Sequence, residues 1–245
     1  MPVMKVGPGR AVVGGGGETY DQKVLATGPI AYWPQSETAG LTAHCLVNPL
    51  QDGTYTGVTL ANDNTGPFGT PAPWYDGATS FNNIYSAALD AAFNEDEHSV
   101  GGWAKVANAG VWADGLERYF VCLSWGAFTE YSLLRKAVAA SQAQLLHRTN
   151  GANQIFLYGT ARTDWFFWTM TVNAAANQTR FYIDGAEVLP AAVCAGTVAT
   201  GLDNNRTLIG ARLNVPIQVW HGWTGPVGVW GRVLSPAEVA RLFVS

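Results

Sequence analysis

The chain has 245 residues, of which 13% are charged and 48% are hydrophobic, with a formal net charge of −4. The slightly acidic net charge excludes a basic surface for nucleic acid or an anionic membrane, and the high hydrophobic fraction excludes disorder over the whole length. Gly, Pro, Asn and Thr interrupt the uncharged stretches, so no run of about 20 apolar residues could span a bilayer. With 28 Gly, 12 Pro and 10 Trp, the composition favours one turn-rich, aromatic-packed β domain.

Residues 1–19 are typical of an N-terminal arm, because Gly14 to Gly17 are consecutive glycines that cannot pack a core. The arm contains no apolar run of signal-peptide length, so we expect synthesis in a cytoplasm without export by a leader. Four valines are its candidate contacts with a neighbouring subunit: Val3, Val6, Val12 and Val13.

After the arm, Thr19 is a candidate cap for a short helix that stops at Gly28-Pro29. Short strands with Gly, Asn, Asp or Pro between them follow at a spacing of about 10–15 residues, which predicts a sandwich or barrel. The predicted strands are 29–33, 80–85, 99–107, 118–125, 131–136, 142–148, 154–158, 165–172, 179–183, 207–211 and 227–233.

Two local signals are specific. Asp184-Gly185 lies between two β-prone runs and predicts a hairpin turn, since both residues tolerate positive φ. Ser235-Pro236-Ala237-Glu238 combines a capping box with a first-turn proline, which predicts a closing helix whose apolar stripe packs on the sandwich.

Several blocks, taken in order, resemble the laminin G-like, concanavalin A-like jelly-roll domains. The blocks are P-I-A-Y-W at 29–33 with S-E-T-A-G at 36–40, D-G-T-Y at 52–55, Y-D-G-A-T-S-F at 75–81, S-V-G-G-W-A-K at 99–105, F-Y-I-D-G at 181–185 and L-S-P-A-E-V-A-R-L-F at 234–243. The resemblance implies an all-β fold over residues 20–245, with two antiparallel sheets, one short C-terminal helix and a flexible N-terminal arm. The first block also resembles phage virion proteins that decorate heads or tails.

A catalytic role is not expected. Hydrolases of the concanavalin A-like superfamily carry paired carboxylates in an E-x-D-x-x-E arrangement on one strand, whereas Glu95 and Glu97 precede a strand in what we interpret as a solvated turn. The four histidines are far apart in sequence and are expected to be surface or half-buried polar residues: His44, His98, His147 and His221. The three cysteines (Cys45, Cys122 and Cys194) have no metal or disulfide spacing and are interpreted as buried thiols.

The resemblance leaves a structural calcium ion open, because many relatives hold one at the sandwich edge. In those relatives one ligand often lies in a G-x-I-D-E-V run. The corresponding run here is residues 222–227, in which Gly225 and Pro226 replace the two acidic residues. Asp76 is retained and would be the first ligand.

The ten tryptophans divide into two groups. Trp33, Trp103, Trp165 and Trp230 fall in strand blocks and are expected in or against the core. The others of interest lie at strand ends or in Gly- and Pro-rich loops, where exposed aromatics form protein interfaces or sugar-stacking platforms: Trp74, Trp112, Trp125, Trp220 and Trp223.

Two function hypotheses follow. The first is a non-enzymatic structural or decoration protein of a phage virion, forming a homo-oligomer and binding other virion proteins through the arm and the aromatic loops. The second is a lectin-like module that binds polysaccharide through the same aromatics.

Overall fold

The computed structural model describes residues 18–62, 65–139, 141–149, 152–159, 161–188 and 200–244. Its helices are α1 (Tyr20–Leu25), α2 (Ala87–Ala92), α3 (Ala109–Trp112) and α4 (Pro236–Phe243), with short 3-10 turns at Pro49–Gln51 and Gly126–Phe128. None of these helices is long and apolar enough to cross a membrane. The rest of the regular structure is β.

One sheet, here called sheet A, has the strand order β1-β15-β6-β11-β12-β13, and β4 also pairs with β15. Its strands are β1 (Ala31–Trp33), β4 (Trp74–Asp76), β6 (Glu97–Val106), β11 (Phe166–Asn173), β12 (Gln178–Ile183), β13 (Ala186–Glu187) and β15 (His221–Trp230).

Sheet B has the order β10-β9-β8-β7-β14-β5-β3-β2. Its strands are β2 (Thr42–Ala43), β3 (Gly53–Thr56), β5 (Phe81–Asn83), β7 (Arg118–Trp125), β8 (Glu130–Lys136), β9 (Gln142–Thr149), β10 (Ala152–Gly159) and β14 (Leu208–Ile209). The strand pairs of both sheets are antiparallel.

The two sheets enclose the main core, which contains Phe166, Trp168 and Met170 of sheet A together with Leu134 and Leu145 of sheet B. Alternate residues of a strand point to opposite faces, so each sheet also has an outer face. The outer face of sheet A is partly covered by α1 and α4, which pack Val24, Val239 and Leu242 of the helices with neighbouring strand residues in a second apolar cluster. This arrangement confirms the expected sandwich of two antiparallel sheets with one C-terminal helix.

The specific local signals are confirmed. Thr19 forms a capping box at the start of α1, and Ser235 forms one at the start of α4, where Pro236 occupies the first turn. Asp184 and Gly185 have φ angles of 49° and 76° in the turn between β12 and β13. Cis peptides are absent from the described residues.

Other predictions need correction. The predicted strands did not include β2, β3, β4 or β13, and the short helices α2 and α3 were not expected, because short strand pairings and single helical turns depend on partners elsewhere in the chain. Of the predicted arm, residues 1–17 lie outside the described part of the chain, as do all four candidate valines. Thr19 belongs to the cap of α1, and Glu18 forms an ion pair with Arg241 of α4 at 2.6 Å.

Candidate functional site

Three of the five candidate tryptophans are not exposed. Trp112, Trp125 and Trp220 are buried in the main core, with at most 1% of their surface accessible. They lie near strand or helix ends, as predicted, but their rings point between the sheets, so they cannot present a face to a ligand. The prediction that these three form an interface is therefore wrong.

Trp74 and Trp223 form the part of the predicted set that remains accessible. They are cross-strand partners on β4 and β15, both half-buried, with ring centroids 4.4 Å apart at an interplanar angle of 60°. Their neighbour Tyr75 points into the core, so the alternation of the strand directs both indoles to the outer face of sheet A. The fold thus brings together two tryptophans that are far apart in sequence.

Polar side chains surround this ring pair. Lys105 Nζ lies 5.2 Å from the centroid of the Trp223 ring, and the His221 ring meets Trp74 edge to face at 5.4 Å. The indole Nε1 of Trp223 donates a hydrogen bond to Asn62 Oδ1 at 3.3 Å. Cations over indole faces are favourable contacts. Sequence reasoning missed Lys105 and His221, although Lys105 follows Trp103 and His221 precedes Trp223 by two residues, which is the spacing of a shared strand face.

Asp76 lies beside this surface, with its backbone paired to that of His221. Its carboxylate accepts hydrogen bonds from the amides of Ala78, Thr79 and Ser80 and from the hydroxyls of Thr79 and Ser80, at 2.7–3.1 Å. Partial burial opposes ionisation, but these bonds outweigh it and hold the pKa of Asp76 well below its usual range.

The surroundings of Asp76 do not fit a calcium ion. Both of its oxygens are occupied within its own turn, and in the described chain no three His, Cys, Asp or Glu side chains come together as a metal-binding group. Calcium requires six to eight oxygen ligands. Asp76 therefore acts as the anchor of a turn.

Two histidines that were expected to be surface or half-buried residues are fully buried between the sheets. Ser132 Oγ lies 2.9 Å from His98 Nε2 and 2.9 Å from His147 Nδ1, and His98 Nδ1 lies 3.1 Å from the carbonyl oxygens of Asn94 and Glu95. Burial lowers the pKa of His98 to about 4, and burial together with His98 lowers the pKa of His147 well below its usual range. Ser132 and both imidazole rings are inaccessible, so these three residues cannot reach a substrate.

The remaining candidates have local structural partners. Glu95 Oε1 accepts a hydrogen bond from the Gly201 amide at 2.7 Å, so Glu95 braces a loop in addition to facing solvent, whereas Glu97 is exposed at the start of β6. Cys45 and Cys122 are buried free thiols, as expected, and Cys194 lies outside the described residues.

No protein-family model matches the sequence, and no curated protein is significantly similar to it. Solved structures do match the fold. Domain 4 of AbnA, a GH43 extracellular arabinanase from Geobacillus stearothermophilus, in complex with arabinotriose, gives a TM-score of 0.62 at 15% identity, over 87% of this chain and 97% of that one.

Two further structures match parts of longer chains. Trypanosoma rangeli sialidase in complex with sialic acid gives a TM-score of 0.62 at 13% identity over 88% of this chain, which spans 32% of the sialidase. The botulinum neurotoxin type G receptor binding domain gives 0.57 at 11% identity over 88% of this chain and 50% of that domain. The chain therefore has a jelly-roll-like β-sandwich fold that it shares with these domains.

Proposed function

We propose that this chain is a non-catalytic glycan-binding module whose site is the Trp74–Trp223 pair on the outer face of sheet A. The observation that carries the proposal is the pairing of two half-buried indoles on adjacent strands, with Lys105 and His221 at their sides. Indole faces stack on the apolar faces of sugar rings, while neighbouring polar groups donate and accept hydrogen bonds with hydroxyls.

The comparisons support this proposal over a purely structural role. One matching domain carries arabinotriose and one matching enzyme carries sialic acid. The likeness concerns the fold, and function must be argued from the site. The paired tryptophans supply that argument here.

Binding without cleavage is part of the proposal. Glycoside hydrolysis uses two carboxyl groups on either side of the scissile bond. Asp76 is the carboxylate whose strand position adjoins the ring pair, and its hydrogen bonds keep it ionised and directed into its own turn. An ionised, fully bonded carboxylate cannot serve as a general acid.

The test is affinity for a panel of neutral oligosaccharides that includes arabinotriose, measured by isothermal titration calorimetry. Trp223→Ala and Trp74→Ala should each weaken binding by about 10-fold or more, because stacking of a single ring is worth about 1–3 kcal/mol, by analogy with base stacking on aromatics. Trp223→Tyr keeps a ring and should retain most of the affinity. Tyr85→Ala, which removes a half-buried aromatic next to sheet B, is the matched control.

Unchanged affinity in both Trp variants would contradict the proposed site, and release of reducing sugar by the wild-type protein would contradict the non-catalytic reading. Glu95→Gln and Glu97→Gln should leave binding unchanged, since neither lies at the ring pair.

A second candidate function is decoration of a phage particle, suggested by the 29–40 sequence block and the Gly-rich N-terminal segment. It concerns where the module is carried and is compatible with glycan binding. Mass spectrometry of purified virions tests it: the chain would be present at a fixed copy number, and its absence would remove this candidate.

A further inference from the structure

The outer face of sheet B carries a second ordered surface across β7 to β10. Leu134, Leu145 and Phe156 point into the main core, so their alternating neighbours point outward. The strand registers align these outward residues in three cross-strand rows: Tyr119–Arg135–Gln144–Leu157, Cys122–Leu133–Leu146–Ile155, and Tyr131–Arg148–Asn153. At the β10 edge, Ile155 and Leu157 are 43% and 51% exposed, so this face is open there.

Four guanidinium groups pack against three aromatic rings on this face, here called the Arg-aromatic face. The distances from guanidinium carbon to ring centroid are 5.7 Å for Arg135 and Tyr119, 6.0 Å for Arg148 and Tyr131, 5.1 Å for Arg206 and Phe128, and 4.4 Å for Arg212 and Phe128. Four of the ten arginines in a chain of net charge −4 are therefore concentrated on one sheet face.

Among the described residues, two of the four guanidinium charges have no carboxylate partner. Arg135 pairs with Glu117 at 2.8 Å and Arg206 with Asp203 at 2.7 Å. Within the described residues, no such ion pair reaches Arg148 or Arg212.

Arg148 is the less satisfied of the two. Its Nε is buried and finds no hydrogen-bond partner in the part of the chain that the structure describes, whereas Arg212 Nη1 donates to Gln218 Oε1 at 3.0 Å. A buried N–H group without an acceptor is costly. Because Nε is closed to solvent, the donors that Arg148 can offer to an incoming acceptor are its terminal Nη groups, which are not among the buried atoms.

Phe128 links the two unpaired arginines. Its ring stacks on Tyr131 with centroids 4.9 Å apart and an interplanar angle of 27°, and Arg212 lies on Phe128 while Arg148 lies on Tyr131. The backbone of Phe128 has φ of 68°, a conformation that is unfavourable for a bulky side chain. Such strain is characteristic of binding and catalytic positions.

We propose that the Arg-aromatic face binds an acidic polysaccharide, with Arg148 and Arg212 donating hydrogen bonds to the carboxylates of its uronate units and the half-buried Phe128 ring contacting sugar. A guanidinium matches a carboxylate with two parallel hydrogen bonds. Two unpaired charges suit a polymer with one carboxylate per sugar. Nucleic acid is disfavoured because phosphate binding requires more neutralising cations along the strand.

This site is separate from the Trp74–Trp223 pair, which lies on the outer face of the other sheet. The inference therefore does not rest on the proposed function. A neutral glycan is expected at the tryptophans and an acidic one at the arginines, and each can fail while the other stands.

The experiment measures binding of oligogalacturonate, arabinotriose and a single-stranded oligonucleotide to the full chain by calorimetry at low and high salt. Arg148→Gln with Arg212→Gln should weaken oligogalacturonate binding at least 10-fold and reduce its salt dependence. Trp223→Ala should leave that binding unchanged. Arg180→Gln is the matched control, because Arg180 lies on sheet A in an ion pair with Glu187.

Arg148→Lys keeps the charge but loses the planar pair of donors, so it should give an intermediate loss while preserving the packing stem. Thermal melts of each variant identify any loss of folding, and the Lys variant keeps the test valid if the Gln variants unfold. Failure of the wild-type protein to bind oligogalacturonate, equal binding by the double variant, or tighter binding of the oligonucleotide would each overturn the proposal.

Discussion

His98 and His147 are buried between the sheets, and their hydrogen bonds with Ser132 and with the Asn94 and Glu95 carbonyls can all form when both rings are neutral. His98 Nδ1–H donates to the carbonyls of Asn94 and Glu95, the Ser132 hydroxyl donates to His98 Nε2, and His147 Nδ1–H donates to Ser132 Oγ. Protonating His98 Nε2 would remove the acceptor that Ser132 uses and would place a charge in the core. The cluster therefore stabilises the sandwich only in its neutral form.

This residue-scale feature predicts a pH-dependent free energy of unfolding. The unfolded imidazole has a pKa near 6.5, whereas burial lowers the pKa of His98 to about 4 in the folded protein. Between these values the unfolded chain binds a proton that the folded chain does not, so stability falls as the pH decreases from about 6.5 towards 4. We expect a loss on the order of 1–3 kcal/mol over this window.

Urea unfolding at a series of pH values checks this prediction. His98→Gln should give a shallower slope of unfolding free energy against pH, whatever its effect on stability at neutral pH. His44→Gln serves as the control, because His44 is exposed. An unchanged slope in His98→Gln would contradict the account.

At the scale of the element, the β12–β13 hairpin shows how a turn and a helix constrain each other. Gly185 has φ of 76°, and a Cβ atom added there would lie 2.9 Å from Cβ of Phe243 in α4. The Asp184 carboxylate accepts from the Phe167 amide at 3.0 Å and pairs with Arg162. The turn thus joins β11, β12 and α4.

We therefore predict that Gly185→Ala lowers the free energy of unfolding by about 2–3 kcal/mol, as the sum of left-handed strain and the contact with Phe243. Gly115→Ala isolates the left-handed backbone strain, because Gly115 has φ of 70° and no atom lies within 4 Å of an added Cβ. This variant should lower the free energy of unfolding by about 1 kcal/mol. Urea unfolding measures the free energy of unfolding of both variants. An equal decrease in the two would contradict a destabilising contact between the added Cβ and Phe243.

At the scale of the whole molecule, the two sheets present opposite outer faces with different chemistry. Sheet A combines helix-covered apolar residues with the Trp74–Trp223 pair, while sheet B carries the Arg-aromatic face. Because a sandwich has its core between the sheets, outward side chains that stay accessible, such as Trp74, Trp223, Ile155 and Leu157, are available for recognition without loss of core packing.

The N-terminal segment supplies a whole-molecule prediction. Deleting residues 1–17 should leave the melting temperature almost unchanged, because their Gly- and Pro-rich composition offers no apolar face and the Glu18–Arg241 ion pair is retained. We expect the deletion to weaken self-association or incorporation into a particle, measured by size-exclusion chromatography and particle binding. Replacing Val3, Val6, Val12 and Val13 with Ser should reproduce the loss, and normal assembly would contradict the predicted arm.

The features that could be predicted from the sequence are those that depend on residues close together in the chain. Capping boxes at Thr19 and Ser235 and the Asp184-Gly185 turn depend on contacts over two to four positions, so their residue types predict them directly. The long strands β6 to β12 were predicted to within a few residues, because a buried strand requires apolar residues on its inner face, whereas β15 begins at His221, well before the predicted start at residue 227. Thus the fold class followed from the chain itself.

The sites were decided by the tertiary structure. Residue type alone does not separate the buried Trp112, Trp125 and Trp220 from the accessible Trp74 and Trp223, because exposure depends on which sheet face the strand presents. Residue type also does not predict the Arg-aromatic face or the buried histidines, because the residues of each group lie on different strands or loops. A shift of register by one residue would turn every such side chain to the opposite face. The pairing of strands distant in sequence therefore determines which side chains meet.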